Sequence, residues 1–416
     1  MRILFTPVAA TTTPLFHMVP LAWACRAAGH DVRVAAQPEL SSAIVAVGLP
    51  AFEVGHGYEI MDGVLRSRGG RRVIEAPARQ WTDSGLVDTG EGAEPPADEH
   101  AALRDAAMAP LVESACRMAP DLLRVTEHWR PDLLVTDSMV FAAPLVSALR
   151  GVPLVRQTWG PDVMRMVSQP LQGRAVDGGE VRAAWPTGLP DLYDHYGVEV
   201  RNDYPLRTVD PWPTSLQFPD LGGRLPMRFV PYNGAAVVPD WVLEPTSRPR
   251  VCVTWGTSTA ALAGDEGFVL PRVIEGLADL DVEVVLAISA ADRMKLGTVP
   301  ANTRVAENVP LHLFMSTCDA IVHQGGTSSL LTAACHGLPQ VMMPQTADNP
   351  FNAANFAASG AGLTLDVVGT AAPEVGAAVT RVLTEPVWKA AAEKVQAEMD
   401  DAPPPSAVVG ALEELA

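Results

Sequence analysis

The chain has 416 residues, 48% hydrophobic and 19% charged, with 48 acidic against 30 basic side chains and a formal net charge of −18. That length holds two domains of ordinary size, each with its own core, and the acidic balance argues against a nucleic-acid or anionic-membrane partner, since either would call for a basic face. No apolar stretch approaches the ~20 residues of a membrane span, and Cys25, Cys116, Cys252, Cys318 and Cys335 show no pairwise metal spacing, so they read as buried thiols in a reducing cytoplasm.

From the N-terminus, Met1 to Val8 reads as a strand and Val19 to Ala28 as an amphipathic helix closed by Gly29, so this segment belongs to the fold and is not a leader. Further strands are predicted at 31–36, 132–136 and 153–156. Residues 55–110 differ. Thr82 to His100 carries Asp83, Asp88, Glu91, Glu94, Asp98 and Glu99 with glycine and a proline pair, the composition of a solvated insertion. Asp162, Asp191 and Asp203 are scattered through loop-like sequence and form no pattern. Residues 204–249, rich in proline and tryptophan, read as the end of a first domain plus a linker, giving domains at 1–212 and 246–416 with a linker at 213–245. The second half repeats the strand pattern at 250–255, 282–288, 303–306, 320–322 and 338–343, which implies parallel sheets with helices on both faces.

The most telling stretch is Asn308 to Phe356. Ala320-Ile321-Val322 is a short apolar strand that stops at His323, and Gly325 and Gly326 then let the backbone turn without a Cβ clash. Thr327, Ser328 and Ser329 supply hydroxyls and caps to a helix continuing through Leu330 to Ala334. Exposed N–H groups and the positive dipole end at such a turn favour a diphosphate, and His323 can add a donor to a phosphate oxygen. Strand-to-helix turns also need glycine for structural reasons alone. What shifts the balance is the next strand: Asp348 and Asn349 follow its carboxyl end, where open α/β sheets place their ligands, and offer a carboxylate and an amide to sugar hydroxyls. Asp348 can at the same time cap a helix from Phe351 to Ser359.

This segment resembles the nucleotide-sugar signature of the GT-B glycosyltransferases, specifically the actinomycete enzymes that attach deoxysugars to macrolides, anthracyclines and related polyketides. Leu21-Ala22-Trp23 with Arg26 to Ala35 is similar to that subgroup's opening, and Met227 to Gly234 to its interdomain segment. The resemblance implies an α/β GT-B fold: two facing Rossmann-like, doubly wound parallel-sheet domains with an interdomain cleft, and a C-terminal helix crossing back onto domain one. By position, His323, Gly325, Gly326, Thr327, Ser328 and Ser329 match the family's diphosphate turn, and Asp348 with Asn349 the pair that holds the donor sugar. Val309 falls where the backbone grips the base, and Ser258 where a hydroxyl meets the far phosphate. The implied activity is inverting transfer of a deoxysugar from a nucleotide diphosphate, with dTDP the expected carrier, to a polyketide-type aglycone in antibiotic biosynthesis. No metal or cofactor is expected beside the nucleotide sugar, since no Asp-x-Asp pair is positioned to hold a metal. Some relatives use a haem-less monooxygenase-like activator, and residues 55–110 are expected to serve the acceptor pocket, such a helper, or neither.

The reaction needs a general base, and here the sequence departs from its relatives. Their histidine before the first helix is replaced: counting back from Val19-Pro20 the place is Pro14, and counting forward from Arg2 it is Thr13. The nearest imidazole is His17. Asp137, ending Leu133-Leu134-Val135-Thr136, matches the acidic residue that orients the family's histidine. The base is therefore His17, with Asp137 fixing its tautomer, or Asp137 itself, or neither, with His17 simply a helix residue packed against the sheet. Pro14 also leaves open a helper protein that keeps the nucleotide site without catalysis, and the shared fold leaves open a nucleotide-sugar epimerase.

Overall fold

The computed structural model describes residues 1–66, 97–162, 178–218, 223–256, 267–345 and 348–416. These form two compact units. One holds the described residues up to Val230 together with Ala402–Ala416, and the other those from Pro231 to Asp401.

The first unit is built on β1 (Arg2–Thr6), β2 (Asp31–Ala36), β3 (Ala51–Glu53), β4 (Leu133–Thr136), β5 (Leu154–Gln157), β6 (Arg207–Asp210) and β7 (Arg224–Pro226), in the order β3-β2-β1-β4-β5-β6-β7. Every neighbouring pair is parallel. Runs such as Leu133-Leu134-Val135 are buried throughout, as strands covered on both faces require. The helices are α1 (Thr13–Ala27), α2 (Ser41–Ala46), α3 (Ile60–Arg66), α4 (Ala97–Trp129), α5 (Ala142–Arg150), α6 (Gly178–Ala184) and α7 (Leu189–His195). The second unit carries β8 (Arg250–Thr254), β9 (Glu283–Ile288), β10 (Thr303–Glu307), β11 (Ala320–His323), β12 (Gln340–Met342) and β13 (Gly362–Thr364), in the order β10-β9-β8-β11-β12-β13, again parallel. Its helices are α8 (Leu270–Leu277), α9 (Ala290–Lys295), α10 (Thr327–Ala334), α11 (Asn349–Ala358), α12 (Ala372–Thr384) and α13 (Pro386–Asp401). A last helix, α14 (Pro405–Glu413), returns to the first unit, where it packs on α1; Arg228 N donates to Pro403 O at 2.7 Å just before it.

Both sheets are doubly wound. Strand order reverses between β1 and β4 in one and between β8 and β11 in the other, and ligands of open α/β sheets bind outside the carboxyl ends of strands at such switch points. Asp137 follows β4, and His323 ends β11, so both candidate sites lie at a switch point.

Three expectations are corrected. First, α1 begins at Thr13 and not at Val19. Pro14 sits in its first turn, where a missing N–H costs no helical bond, so the loop after β1 is shorter than the sequence suggested and His17 is a helix residue. Second, the stretch taken as a linker contributes β7, and β6 lies in the same proline-rich region. Third, Asp162 is not a stray acid. It forms a bidentate pair with Arg156 at 3.2 and 2.9 Å, both side chains essentially excluded from solvent, while Arg156 Nε donates to Thr208 Oγ1 at 3.2 Å. Next to it, Asp210 accepts from Thr158 Oγ1, Trp212 N, Gln217 Nε2 and Arg224 Nε at 2.7–3.1 Å. Asp203 pairs with Arg201 at the surface, and Asp191 is exposed. No helix among the described residues is long and apolar enough to cross a membrane.

The Arg156–Asp162 pair yields a stability prediction. Arg156→Met strands a buried carboxylate and should cost about 3–5 kcal/mol in urea denaturation, whereas Arg156→Met with Asp162→Leu should recover most of the loss.

Candidate functional site

β11 delivers His323 with no exposed surface. Its Nε2–H donates to Gln340 Oε1 at 2.8 Å, and its Nδ1 accepts from Gly325 N–H at 3.1 Å. Both ring nitrogens are thus used inside the fold, and burial holds the imidazole down to about 4, in its neutral form. Through these two bonds the ring acts as a strut that shapes the turn, as suits a side chain at the last buried position of a central strand.

The turn itself is built for close approach. Gly325 has φ +86°, and a Cβ there would lie 2.8 Å from the Asn349 carbonyl oxygen. At Gly326 a Cβ would lie 2.6 Å from Gln324 Nε2. Gly326 is also the N-cap of α10, whose first main-chain bond runs from Leu330 N to Gly326 O at 3.0 Å, so the amides of Thr327, Ser328 and Ser329 stand ahead of the helical ladder at the positive end of the dipole. Ser328 is half-buried; Thr327 and Ser329 are buried.

Asp348 stands beside this turn. Its Oδ2 accepts from Thr327 Oγ1 at 3.0 Å and from Asn352 Nδ2 at 2.7 Å. Asp348 is the N-cap residue of α11, yet its side chain makes no capping bond, so the capping role is not what holds it. Burial raises its pKa, and the Asn352 and Thr327 bonds work against that rise. Asn349, buried, opens α11. The sequence reading missed Asn352, although it stands four residues after Asp348 at the start of a helix, where i and i+4 side chains share a face.

Val309 follows Asn308, whose φ is +53°, and packs half-buried against the Phe314 cluster. The loop after it is tied back reciprocally: His312 N donates to Asn233 Oδ1 at 3.0 Å, and Asn233 N donates to His312 Nδ1 at 3.1 Å. Asn233 Nδ2 reaches Thr332 Oγ1 on α10 at 3.2 Å, so the Val309 loop and α10 share one anchor. His312 thereby ties this loop to the segment that carries Asn233. Ser258 and most of the acidic 82–100 stretch lie outside the described residues. Gln345, also missed, accepts from Trp255 Nε1 at 2.5 Å and donates to Gly267 O at 2.8 Å, joining the ends of β8 and β12.

In the first unit, the two candidate bases have different surroundings. His17 is buried with its ring 5.1 Å from that of Phe229, and its carbonyl accepts from Gln157 Nε2 at 2.7 Å; burial lowers its pKa to about 3. Asp137 is buried, its Oδ2 accepting from Val8 N at 2.5 Å and its Oδ1 from Met139 N at 2.7 Å. Burial raises its carboxyl to about 7 in spite of these main-chain donors and that of Val140. Trp185 and Trp212 are core residues, with indole N–H bonds to Asn202 and to the Leu216 carbonyl. Among the described residues no group of three or more His, Cys, Asp or Glu could hold a metal ion.

Residues 23–256 match the family described as Erythromycin biosynthesis protein CIII-like, N-terminal domain, and residues 271–415 its C-terminal domain. The chain belongs to the CIII-like family. This CIII-like protein is 35% identical to the 10-deoxymethynolide desosaminyltransferase of Streptomyces venezuelae, over 100% of its own length and 97% of the relative's. It is 32% identical to the aclacinomycin-T 2-deoxy-L-fucose transferase of Streptomyces galilaeus, over 100% and 96%. Among solved structures it is similar to the spinosyn rhamnosyltransferase SpnG complexed with thymidine diphosphate, with TM-score 0.79, 29% identity and coverage of 99% and 100%. VinC in complex with dTDP gives 0.78, 30%, and 100% and 99%. The CIII-like chain is a glycosyltransferase, and its paired doubly wound sheets are those of the GT-B fold.

Two measurements check this geometry. Gly325→Ala should lower stability by about 1–3 kcal/mol, because it combines a positive φ with a backbone clash, and should weaken dTDP binding in calorimetry. Nitrogen NMR should find His323 neutral with the proton on Nε2 until pH falls toward about 4. Its folded pKa lies below the unfolded value of about 6.5, so the stability it contributes is full above that value and lost as pH falls through the lower one.

Proposed function

We propose that this enzyme moves a deoxysugar from a dTDP donor to a hydroxyl of a polyketide-type aglycone, with inversion at the anomeric carbon. One observation carries the reading: a helix start suited to a diphosphate is joined through Thr327 and Asn352 to a carboxylate suited to a sugar. In the proposed complex the diphosphate lies against the first turn of α10, where amides and the helix dipole meet the charge that accumulates as the glycosidic bond breaks. Asp348 and Asn349 hold the sugar, Ser258 meets the far phosphate and the Val309 main chain grips the base. Preorganised donors can stabilise that leaving group without a metal. Names of relatives matching over the full length support transfer rather than epimerisation or a helper role: they are desosaminyl, mycaminosyl and 2-deoxy-L-fucose transferases.

For the base, ionisation favours Asp137. A carboxyl near 7 is half ionised at neutral pH and takes up a proton readily, whereas an imidazole near 3 is neutral but a weak base. The acid must be ionised to accept the hydroxyl proton, so kcat should rise with pH through about 7. Asp137→Asn should remove that inflection and lower kcat by about 10²–10⁴-fold, whereas His17→Ala should keep it. If His17→Ala removes it and Asp137→Asn does not, the base is His17. The transfer itself is tested by incubating the protein with a dTDP-deoxysugar and a polyketide aglycone and weighing the aglycone. A gain of one deoxysugar residue supports the reading, and free dTDP without glycoside overturns it.

A further inference from the structure

Asn352 has no exposed surface, so its amide does not meet solvent. Its Nδ2 nevertheless stands within hydrogen-bond distance of three oxygens: Asp348 Oδ2 at 2.7 Å, Thr327 Oγ1 at 3.1 Å and the Gly325 carbonyl at 3.1 Å. Two of those three are pure acceptors, so the amide orientation is settled by chemistry: the NH2 must face them. Thr327 Oγ1 in turn donates to Asp348 Oδ2 at 3.0 Å. The cluster is closed. A carboxylate oxygen, a hydroxyl and a turn carbonyl are all referenced to one amide, and both donors meet Oδ2, so neither uses Oδ1.

Resting on the donor-site reading above, we infer that Asn352 is a positioning residue that couples the diphosphate turn to the sugar-holding carboxylate and so sets the extra affinity for a dTDP-sugar over dTDP. Three features carry it. Asn352 N donates to Asp348 O at 2.9 Å as the first main-chain bond of α11, so the amide is rigid relative to the carboxylate. The Gly325 carbonyl it holds belongs to the positive-φ residue on which the turn depends. Two donors on Oδ2 restrain the carboxylate, and in the proposed complex Oδ1 is the oxygen that takes a sugar hydroxyl. Asn352 Oδ1 has no hydrogen-bond partner among the described residues.

The test measures calorimetric Kd for dTDP and for dTDP-glucose, with melting temperatures, in wild type, Asn352→Ala, Asn352→Asp and Thr327→Val. In Asn352→Ala the ratio of the two affinities should fall by roughly tenfold or more, because a bond to a charged group is lost, while dTDP alone changes by less than about threefold. Thr327→Val keeps shape, removes the shared hydroxyl and should lower the ratio in the same sense. Asn352→Asp should recover discrimination at pH 5.5, where the pair of acids can share a proton, and lose it at pH 8, where two carboxylates repel. A purely structural role would not produce that pH dependence. Equal loss of both ligands, an unchanged ratio in Asn352→Ala and Thr327→Val, or a pH-independent Asn352→Asp overturns the inference. Should Asn352→Ala fail to fold, Thr327→Val and Asn352→Asp decide by the same criteria. Wild type that binds neither ligand overturns the donor-site reading, and this inference with it.

Discussion

The close approach of the Asn349 carbonyl to Gly325 governs the second unit. Any side chain at 325 is strained, since a Cβ would meet that oxygen at 2.8 Å on a backbone already at φ +86°. The absence of a Cβ lets the start of α11 sit directly over the turn after β11, and only then do Asp348 and Asn352 come within hydrogen-bond distance of Thr327. His323 holds the turn from beneath through Gly325 N–H and Gln340, and Gln340 Nε2 reaches on to the Leu330 carbonyl in α10 at 3.0 Å. Burial keeps the ring neutral, and neutrality is what lets one nitrogen accept while the other donates.

The first unit uses buried charge differently. Arg156 with Asp162, and Arg224 with Asp210, knit the ends of β5, β6 and β7 to the loops beyond them. Such pairs add little net stability, because desolvation offsets much of their attraction, but removing one partner is costly. They give register to an edge whose strands are too short to fix it by apolar pattern: β6 has 4 residues and β7 has 3. Asp137 performs a related service across the switch point, where its carboxylate gathers the Val8 and Met139 amides.

Strand–helix alternation was legible, and most central strands fall where apolar runs placed them, because a parallel strand buried on both faces writes itself as a continuous hydrophobic segment. β3, β7 and β13 did not announce themselves. Each has 3 residues at or near a sheet edge, too few for any period to register. The glycines and hydroxyls of 325–329 could be read because backbone geometry and helix capping dictate residue type locally. What His323 bonds to could not, since Gln340 lies 17 residues away across a strand pair. Arg156 and Asp162 were opaque for a related reason: Arg156 lies on β5 and Asp162 in the loop beyond its end, where no period links them.

The return of α14 to the first unit has a consequence for biosynthesis. Buried Val408, Val409 and Leu412 face a unit otherwise complete by Val230, and some 170 residues of the other unit are translated in between. On the ribosome, the α1 surface that α14 covers must wait uncovered while the second unit emerges. The first unit therefore cannot complete its fold until the second has been synthesised.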